Sequence, residues 1–298
     1  MNFNENINTF TERIKDCNNC KNDYMPYYFD KINQIKLYNE NSLEILKEVP
    51  SESIDMVFAD PPYFGNQSGL KINRTDGHAQ TFDTQKAHWA YSKSLQYQFK
   101  FHYTWLKEAQ RILKKGSTIW VTGTYHSIGV VNVVLQDLKF KLLNEIILHK
   151  LNAPPNFTGS CFRAVTENML WAKKDKTGKT KFNYWEMKRI NNNVQMKNVW
   201  EYKAEKNPFK HPATKQPIVL EMAILAGSNE GDVILDPFAG SGTTGYVAKA
   251  LKRKCIMIEL DNNYCKLIKD RLEGKYGKHQ RKSSIKGKVS KKSSNIHK

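Results

Sequence analysis

This 298-residue sequence predicts an α/β fold, doubly wound, with a mostly parallel sheet and helices on both of its faces. Two observations predict it. Apolar runs of strand length, such as Ile54-Asp-Met-Val-Phe-Ala59 and Cys255-Ile-Met-Ile258, alternate along the chain with segments of helical periodicity. Two of the runs end in Asp-Pro, at Asp60-Pro61 and Asp236-Pro237, where proline stops the ladder and leaves an acid at a strand's carboxyl end. Ligands of such sheets sit beyond those ends, so both acids are expected in one cleft although they lie far apart in sequence.

Residues 1–34 are polar, with Tyr24, Tyr27, Tyr28 and Phe29 clustered near their end, and read as an N-terminal extension. Ile35-Lys-Leu-Tyr38 is the first expected strand. Leu43, Ile45 and Leu46 then mark a short helix that must end by Pro50. The strand Ile54–Ala59 stops at Asp60-Pro61-Pro62-Tyr63. From Phe64 to about Ser92 no period is visible, and a polar stretch of that length, with His78, His88 and Trp89, suits a lid or binding loop. Phe101, Trp105, Ala109, Ile112 and Leu113 recur at helical spacing, with Gly116 as the stop. A strand over 117–121, a helix over 128–138 and strands over 142–148 and 168–172 follow, the last two separated by the proline-glycine loop 152–159. Residues 173–210 change character, with Phe182, Tyr184, Trp185, Trp200, Tyr202 and Phe209 set among Lys and Arg. Such interleaving suits base stacking beside phosphate contacts, or else a small apolar cluster under a surface segment. Pro217 opens a strongly apolar helix that Gly227 stops.

The stretch the chain is organised around comes next. The strand Val233–Leu235 leads into Asp236-Pro237-Phe238-Ala239-Gly240-Ser241-Gly242-Thr243, and a helix carrying Val247, Ala248 and Leu251 follows. Glycines that free the backbone just before a helix N-terminus present bare N–H groups to a ligand. The next strand closes on Glu259, 19 positions after Gly240. That is close to the ~20 at which an acid reaches a ribose hydroxyl, so a nucleoside cofactor is expected here. A last helix carries Tyr264, Leu267, Ile268 and Leu272 and ends at Gly274; the Lys/Ser-rich residues 275–298 read as a basic disordered tail.

No run approaches the ~18 apolar residues of a membrane span, and the N-terminus has no signal-peptide pattern, so a cytoplasmic location is expected. The five cysteines are expected as thiols, and the lone C-x-x-C at Cys17 and Cys20 carries no metal expectation. Of the net charge of +18, nine basic residues follow Glu273 with no acid among them, which leaves +9 on residues 1–273. Such an excess on a folded body suits a polyanion, most simply nucleic acid.

Asp60-Pro61-Pro62-Tyr63 joins a carboxylate, a turn rich in acceptors and an aromatic ring, a setting for a flat heteroaromatic amine. With this motif, the run His211-Pro-Ala-Thr-Lys-Gln-Pro217, Asp236-Pro-Phe-Ala-Gly-Ser-Gly-Thr-Thr244 and Glu259, the chain resembles the S-adenosylmethionine-dependent DNA amino-methyltransferases of the circularly permuted beta class. The resemblance covers residues 35 to 273. It implies a seven-stranded methyltransferase (Rossmann-like) sheet with its seventh strand antiparallel. It also implies a catalytic domain over 35–172 and 211–274, with 173–210 as an inserted target-recognition segment. By the same resemblance Asp60 and a carbonyl of Pro61 or Pro62 bind the target amine, and Tyr63 stacks on a base flipped out of DNA. Asp236, Phe238, Ala239, Gly240, Ser241, Gly242 and Thr243 cradle S-adenosylmethionine beside Asp60, helped by Thr214 and Lys215, while Glu259 holds its ribose. Asn41 stands where the family has an adenine-contacting Asp, and the 211–217 run is one residue longer than the family's commonest form.

Asp rather than Ser or Thr before Pro-Pro-Tyr favours N6 of adenine over N4 of cytosine in this family. The lines Ala153-Pro-Pro-Asn156, Thr166–Ala172 and Asn198-Val-Trp200 resemble enzymes of small restriction-modification systems that methylate GATC. DNA is the expected partner, with a cognate restriction endonuclease and a second copy of the chain in a homodimer as candidates beside it. Three alternatives remain: an N4-cytosine methyltransferase, a nicotinamide-dependent oxidoreductase lacking the third glycine of its fingerprint, and a basic DNA-binding protein without activity.

Overall fold

A computed structural model describes residues 24–64, 71–73, 79–81, 94–156, 159–205 and 214–276. Outside them lie Cys17 and Cys20, most of the expected lid with His78, His88 and Trp89, Phe209, His211 to Ala213, and nearly all of the basic tail.

The strands are β1 (Tyr28–Asp30), β2 (Ile35–Asn39), β3 (Ile54–Ala59), β4 (Lys71–Asn73), β5 (Ala79–Thr81), β6 (Leu113–Gly123), β7 (Lys141–Lys150), β8 (Thr166–Lys173), β9 (Val199–Tyr202), β10 (Val233–Asp236) and β11 (Lys254–Glu259). The helices are α1 (Ser42–Glu48), α2 (Leu95–Ile112), α3 (Ile128–Asp137), α4 (Tyr184–Ile190), α5 (Pro217–Gly227), α6 (Thr243–Ala250) and α7 (Asn262–Leu272). β4 and β5 form a separate antiparallel hairpin. The other strands make one sheet in the order β1-β2-β11-β10-β3-β6-β8-β7-β9.

Alternation within the strands builds a core on each face, because successive side chains point to opposite sides. Met56, Phe58, Trp120, Ile234 and Met257 face one way, against Met187 of α4, Leu220 of α5, Val247 of α6 and Ile268 of α7. Val57, Ala59, Ile119, Val121, Leu235 and Ile258 face the other way, against Ile45 of α1, Trp105 of α2 and Val131 of α3. Every residue of β3 is buried, as a parallel strand covered on both faces requires. The doubly wound expectation is met, and β8 runs antiparallel to both β6 and β7.

The sheet has nine strands where seven were expected. β1 pairs antiparallel with β2, and β9 pairs parallel with β7, so each edge gains a strand. Both are too short for periodicity to mark. In β9, Trp200 and Tyr202 turn inward, 6% and 7% exposed, and join the core instead of offering surface for base stacking. The other departure concerns Gly116. α2 ends at Ile112, and Gly116 sits inside β6 at φ +77° rather than at a helix stop. There β6 bulges: Ile54 pairs with Leu113, yet Met56 pairs with Thr118. A Cβ on Gly116 would collide with the Lys179 carbonyl oxygen, so only glycine fits. The bulge also sends Lys114 to the buried Asp55 at 2.8 Å.

β10 lies between β3 and β11, parallel to both. The turns that follow β3 and β10 therefore emerge side by side.

Candidate active site

Asp60 is the first residue beyond β3. Its Oδ1 accepts two hydrogen bonds, from the Thr122 hydroxyl of β6 at 2.6 Å and from the Tyr63 hydroxyl, and forms an ion pair with Lys215 Nζ at 3.2 Å. Among the described residues nothing donates to Oδ2. One oxygen is anchored and the other is left open. Lys215, just ahead of α5, also donates to the Tyr63 hydroxyl and stands 5.1 Å from the centre of that ring. It donates to Glu167 Oε2 of β8 at 2.7 Å as well. Burial works against the Lys215 ammonium, but Asp60, Tyr63 and Glu167 outweigh that cost and hold its pKa well above the ordinary lysine value. Lys215 in turn pulls the Glu167 carboxyl down to about 2. Burial, with Asp60 beside it, raises the Tyr63 hydroxyl.

Phe64 follows Tyr63 at φ +47° and buries its ring against Phe101 and His102 of α2, with centroid distances of 5.3 and 6.1 Å. Phe238, in the turn after β10, packs on the same helix, 5.4 Å from Trp105 and 5.9 Å from Phe101. One face of α2 thus braces both turns. His102 accepts from the Trp105 indole at 3.1 Å, and burial pushes its pKa down to about 4, so it stays neutral and structural.

The glycine turn is shaped mainly by its backbone. Gly240 and Gly242 have φ of +54° and +72°, and a Cβ on Gly242 would stand 2.8 Å from Ile268. Asp236 Oδ1 accepts from the Phe238 amide at 3.0 Å and Oδ2 from the Thr244 hydroxyl at 2.5 Å. Burial, reinforced by the nearby Asp60 and Glu259, lifts the Asp236 carboxyl to about 7. Glu259 accepts the Gly240 amide at 2.7 Å and the Asp261 amide at 2.9 Å, while burial still raises its pKa. From α7 the buried Arg271 donates to the Ser241 carbonyl at 2.8 Å and the Thr243 hydroxyl at 2.9 Å. The Lys215 carbonyl accepts from the Thr243 hydroxyl at 3.3 Å, tying the two turns together.

A family model described as DNA methylase, that of the N6 and N4 methyltransferases, matches residues 54–270. The chain belongs to the DNA methylase family. A Type II methyltransferase of Lactococcus lactis subsp. cremoris, M2.LlaDCHI, is 41% identical over 250 residues, which span 82% of this chain and 91% of that protein. M2.DpnII of Streptococcus pneumoniae, also a Type II methyltransferase, is 40% identical over 253 residues, 83% of this chain and 92% of its own. Among solved structures, the M1.HpyAVI complex with SAM superposes with a TM-score of 0.60 at 25% identity, covering 80% of this chain and 98% of that one. The PvuII cytosine-N4 DNA methyltransferase shares the fold, with a TM-score of 0.65 at 18% identity over 89% of this chain and 94% of its own.

Within this DNA methylase the residues singled out from sequence fall into one cleft, with differences of detail. Asp60 to Tyr63 and Asp236 to Thr243 flank it on neighbouring strands, and Glu259 closes the far side at the end of β11. Asn41 lies at the same edge, where Asn39 pairs with Glu259, but its Oδ1 caps α1 by accepting from the Leu43 amide at 3.0 Å. Lys215 turns its side chain to Asp60 and Tyr63, and only its carbonyl meets the glycine turn. Thr122, Glu167 and Arg271 carried no motif that singled them out individually. No helix among the described residues is long and apolar enough to cross a membrane, and no cluster of three or more His, Cys, Asp or Glu there could hold a metal.

Proposed function

We propose that the protein methylates N6 of adenine in DNA, using S-adenosylmethionine, and serves a restriction-modification system in which a cognate endonuclease cuts the unmodified site. The observation that carries the reading is Asp60, anchored through Oδ1 with Oδ2 open, beside a glycine turn lined by carboxylates. That cleft suits the cofactor. Three carboxylates, Asp60, Asp236 and Glu259, favour a cationic ligand, and the left-handed glycines leave room for it. Next to Lys215 in the chain, the buried Thr214 hydroxyl has no hydrogen-bond partner among the described residues. Bound S-adenosylmethionine supplies an electrophilic methyl on a sulfonium that leaves readily.

The protein's task is then to make a poor nucleophile attack. The adenine amino lone pair is delocalised into the ring. Asp60 Oδ2 and a carbonyl of Pro61 or Pro62 accept its two hydrogens, drawing the lone pair out of conjugation and toward the methyl carbon. Tyr63 offers its ring to a base taken out of the stack. Catalysis is positioning and electrostatics, with no covalent enzyme intermediate, and the amine gives up one proton to water as it takes the methyl group. Glu259 keeps acceptor capacity for ribose hydroxyls besides the two amides it already holds. Residues 173–210 and the body charge of +9 engage the duplex, and GATC is the proposed target because of the lines around Ala153, Thr166 and Asn198.

Nucleoside mass spectrometry of DNA incubated with the protein and S-adenosylmethionine, with Asp60→Ala alongside, tests this. N6-methyladenine that disappears in the variant is expected. N4-methylcytosine in its place would overturn the base assignment, and the absence of both products would overturn the reading.

A further inference from the structure

A fourth carboxylate, beside Asp60, Asp236 and Glu259, reaches the cleft from a strand that runs the other way. β8 runs against its neighbours, so its first residues lie at the edge where the parallel strands end. Glu167, second in β8, thereby reaches Lys215 at 2.7 Å, while the same ammonium is 3.2 Å from Asp60. Its other oxygen stands 3.5 Å from Lys150 at the end of β7. The four groups Asp60, Glu167, Lys150 and Lys215 sum to no formal charge, which lets them share a largely buried place without a net desolvated ion.

We propose that Glu167 is a positioning residue that acts through Lys215 to keep the outer oxygen of Asp60 free for the target amine. The inference rests on the methyltransferase reading of the cleft. One ammonium serves two carboxylates, and its closer contact is with Glu167, which draws it toward β8 and onto the Oδ1 side of Asp60. Thr122 and Tyr63 load that same oxygen. Without the pull from Glu167, Asp60 is the remaining carboxylate for Lys215. A compact, strongly hydrated ammonium with three donors then settles across both oxygens, where the amine hydrogen has to go. Lys215 is thus a competitor for the amine's place, and Glu167 keeps it aside.

The test separates this role from general support. Full-length Glu167→Gln, Lys215→Met and the double variant are compared in steady-state methyl transfer. Glu167→Gln is expected to lower kcat by about tenfold or more, with KM for S-adenosylmethionine within about threefold of wild type. Glu167→Asp restores most of the loss. In the Lys215→Met background Glu167→Gln costs less than about twofold, because the effect has lost its carrier. Multiplying losses in the double variant would overturn the proposal.

A second measurement needs no turnover. With S-adenosylhomocysteine present, wild type is expected to bind target DNA carrying adenine about tenfold better than DNA carrying purine, which lacks the amine. Glu167→Gln is expected to lose that preference. A wild type that shows no preference sinks the amine-binding reading itself. A preference that survives in Glu167→Gln sinks only the positioning role of Glu167.

Discussion

The turn after β3 and the turn after β10 leave neighbouring strands on the same side of the sheet, yet different forces hold them. Asp60 is fixed by side chains from elsewhere: Thr122 on β6, Lys215 before α5 and, behind Lys215, Glu167 on β8. The glycine turn is held chiefly through its own amides and carbonyls, by left-handed glycines, by Glu259 on Gly240 and by Arg271 on Ser241. The first arrangement places one charged oxygen, and it depends on a charge balance among distant residues. The second makes a shaped backbone surface, which suits a ligand held along its length. On the proposed methyltransferase reading, a catalytic contact and a binding contact are thus built from different materials within one cleft.

That contrast can be broken from either side. The largest stability effect is expected for Lys215→Met, which leaves Asp60 and Glu167 facing each other without their shared cation. A loss of about 2–4 kcal/mol in denaturant unfolding is expected, with S-adenosylmethionine affinity changed little. Gly242→Ala should do the reverse. Its added Cβ meets Ile268 at a left-handed position, so about 1–3 kcal/mol is lost and cofactor affinity, read by calorimetry, falls more than turnover at saturation. Equal effects of both variants on cofactor affinity would show that the two turns act as one unit.

A pH effect comes next. Asp236, lifted to about 7 by burial, carries its proton in the free protein below that pH. A cationic ligand favours the carboxylate, so binding releases a proton. Affinity for S-adenosylmethionine should therefore rise with pH up to about 7 and level off above it. The raised pKa also means that the stability contributed by the protonated form is present at acid pH and lost as pH rises through about 7. Calorimetry in buffers of differing ionisation enthalpy counts the proton, and its absence would remove Asp236 from the ligand's surroundings. The smallest effect is expected from truncation after Gly274. Removing the nine basic residues should weaken DNA capture at moderate salt and leave turnover at saturating DNA unchanged.

Legibility followed the range of the interactions. Strands with long apolar runs, such as β3 and β11, and helices with capping residues, such as Asn41 before α1 and Pro217 in α5, were readable because their signals are local. β1 and β9 were not, since three or four residues pairing at a sheet edge have no period of their own. Gly116 read as a helix stop, because a left-handed glycine serves equally well in a β-bulge, and only the approach of Lys179 distinguishes the two.

The amino-acid sequence alone determined the alternation of strands and helices, the two acid-bearing turns and their place at strand ends, and hence one shared cleft. Backbone preferences of proline and glycine and the spacing of apolar residues act over a few positions, so they can be read there. Which oxygen of Asp60 is tied down, that Lys215 faces Asp60 rather than the glycine turn, and that Glu167 belongs to the cleft were decided only by the tertiary structure. Those facts depend on an antiparallel strand bringing its first residues to the edge where its neighbours end, and on charges that meet only after the sheet has formed.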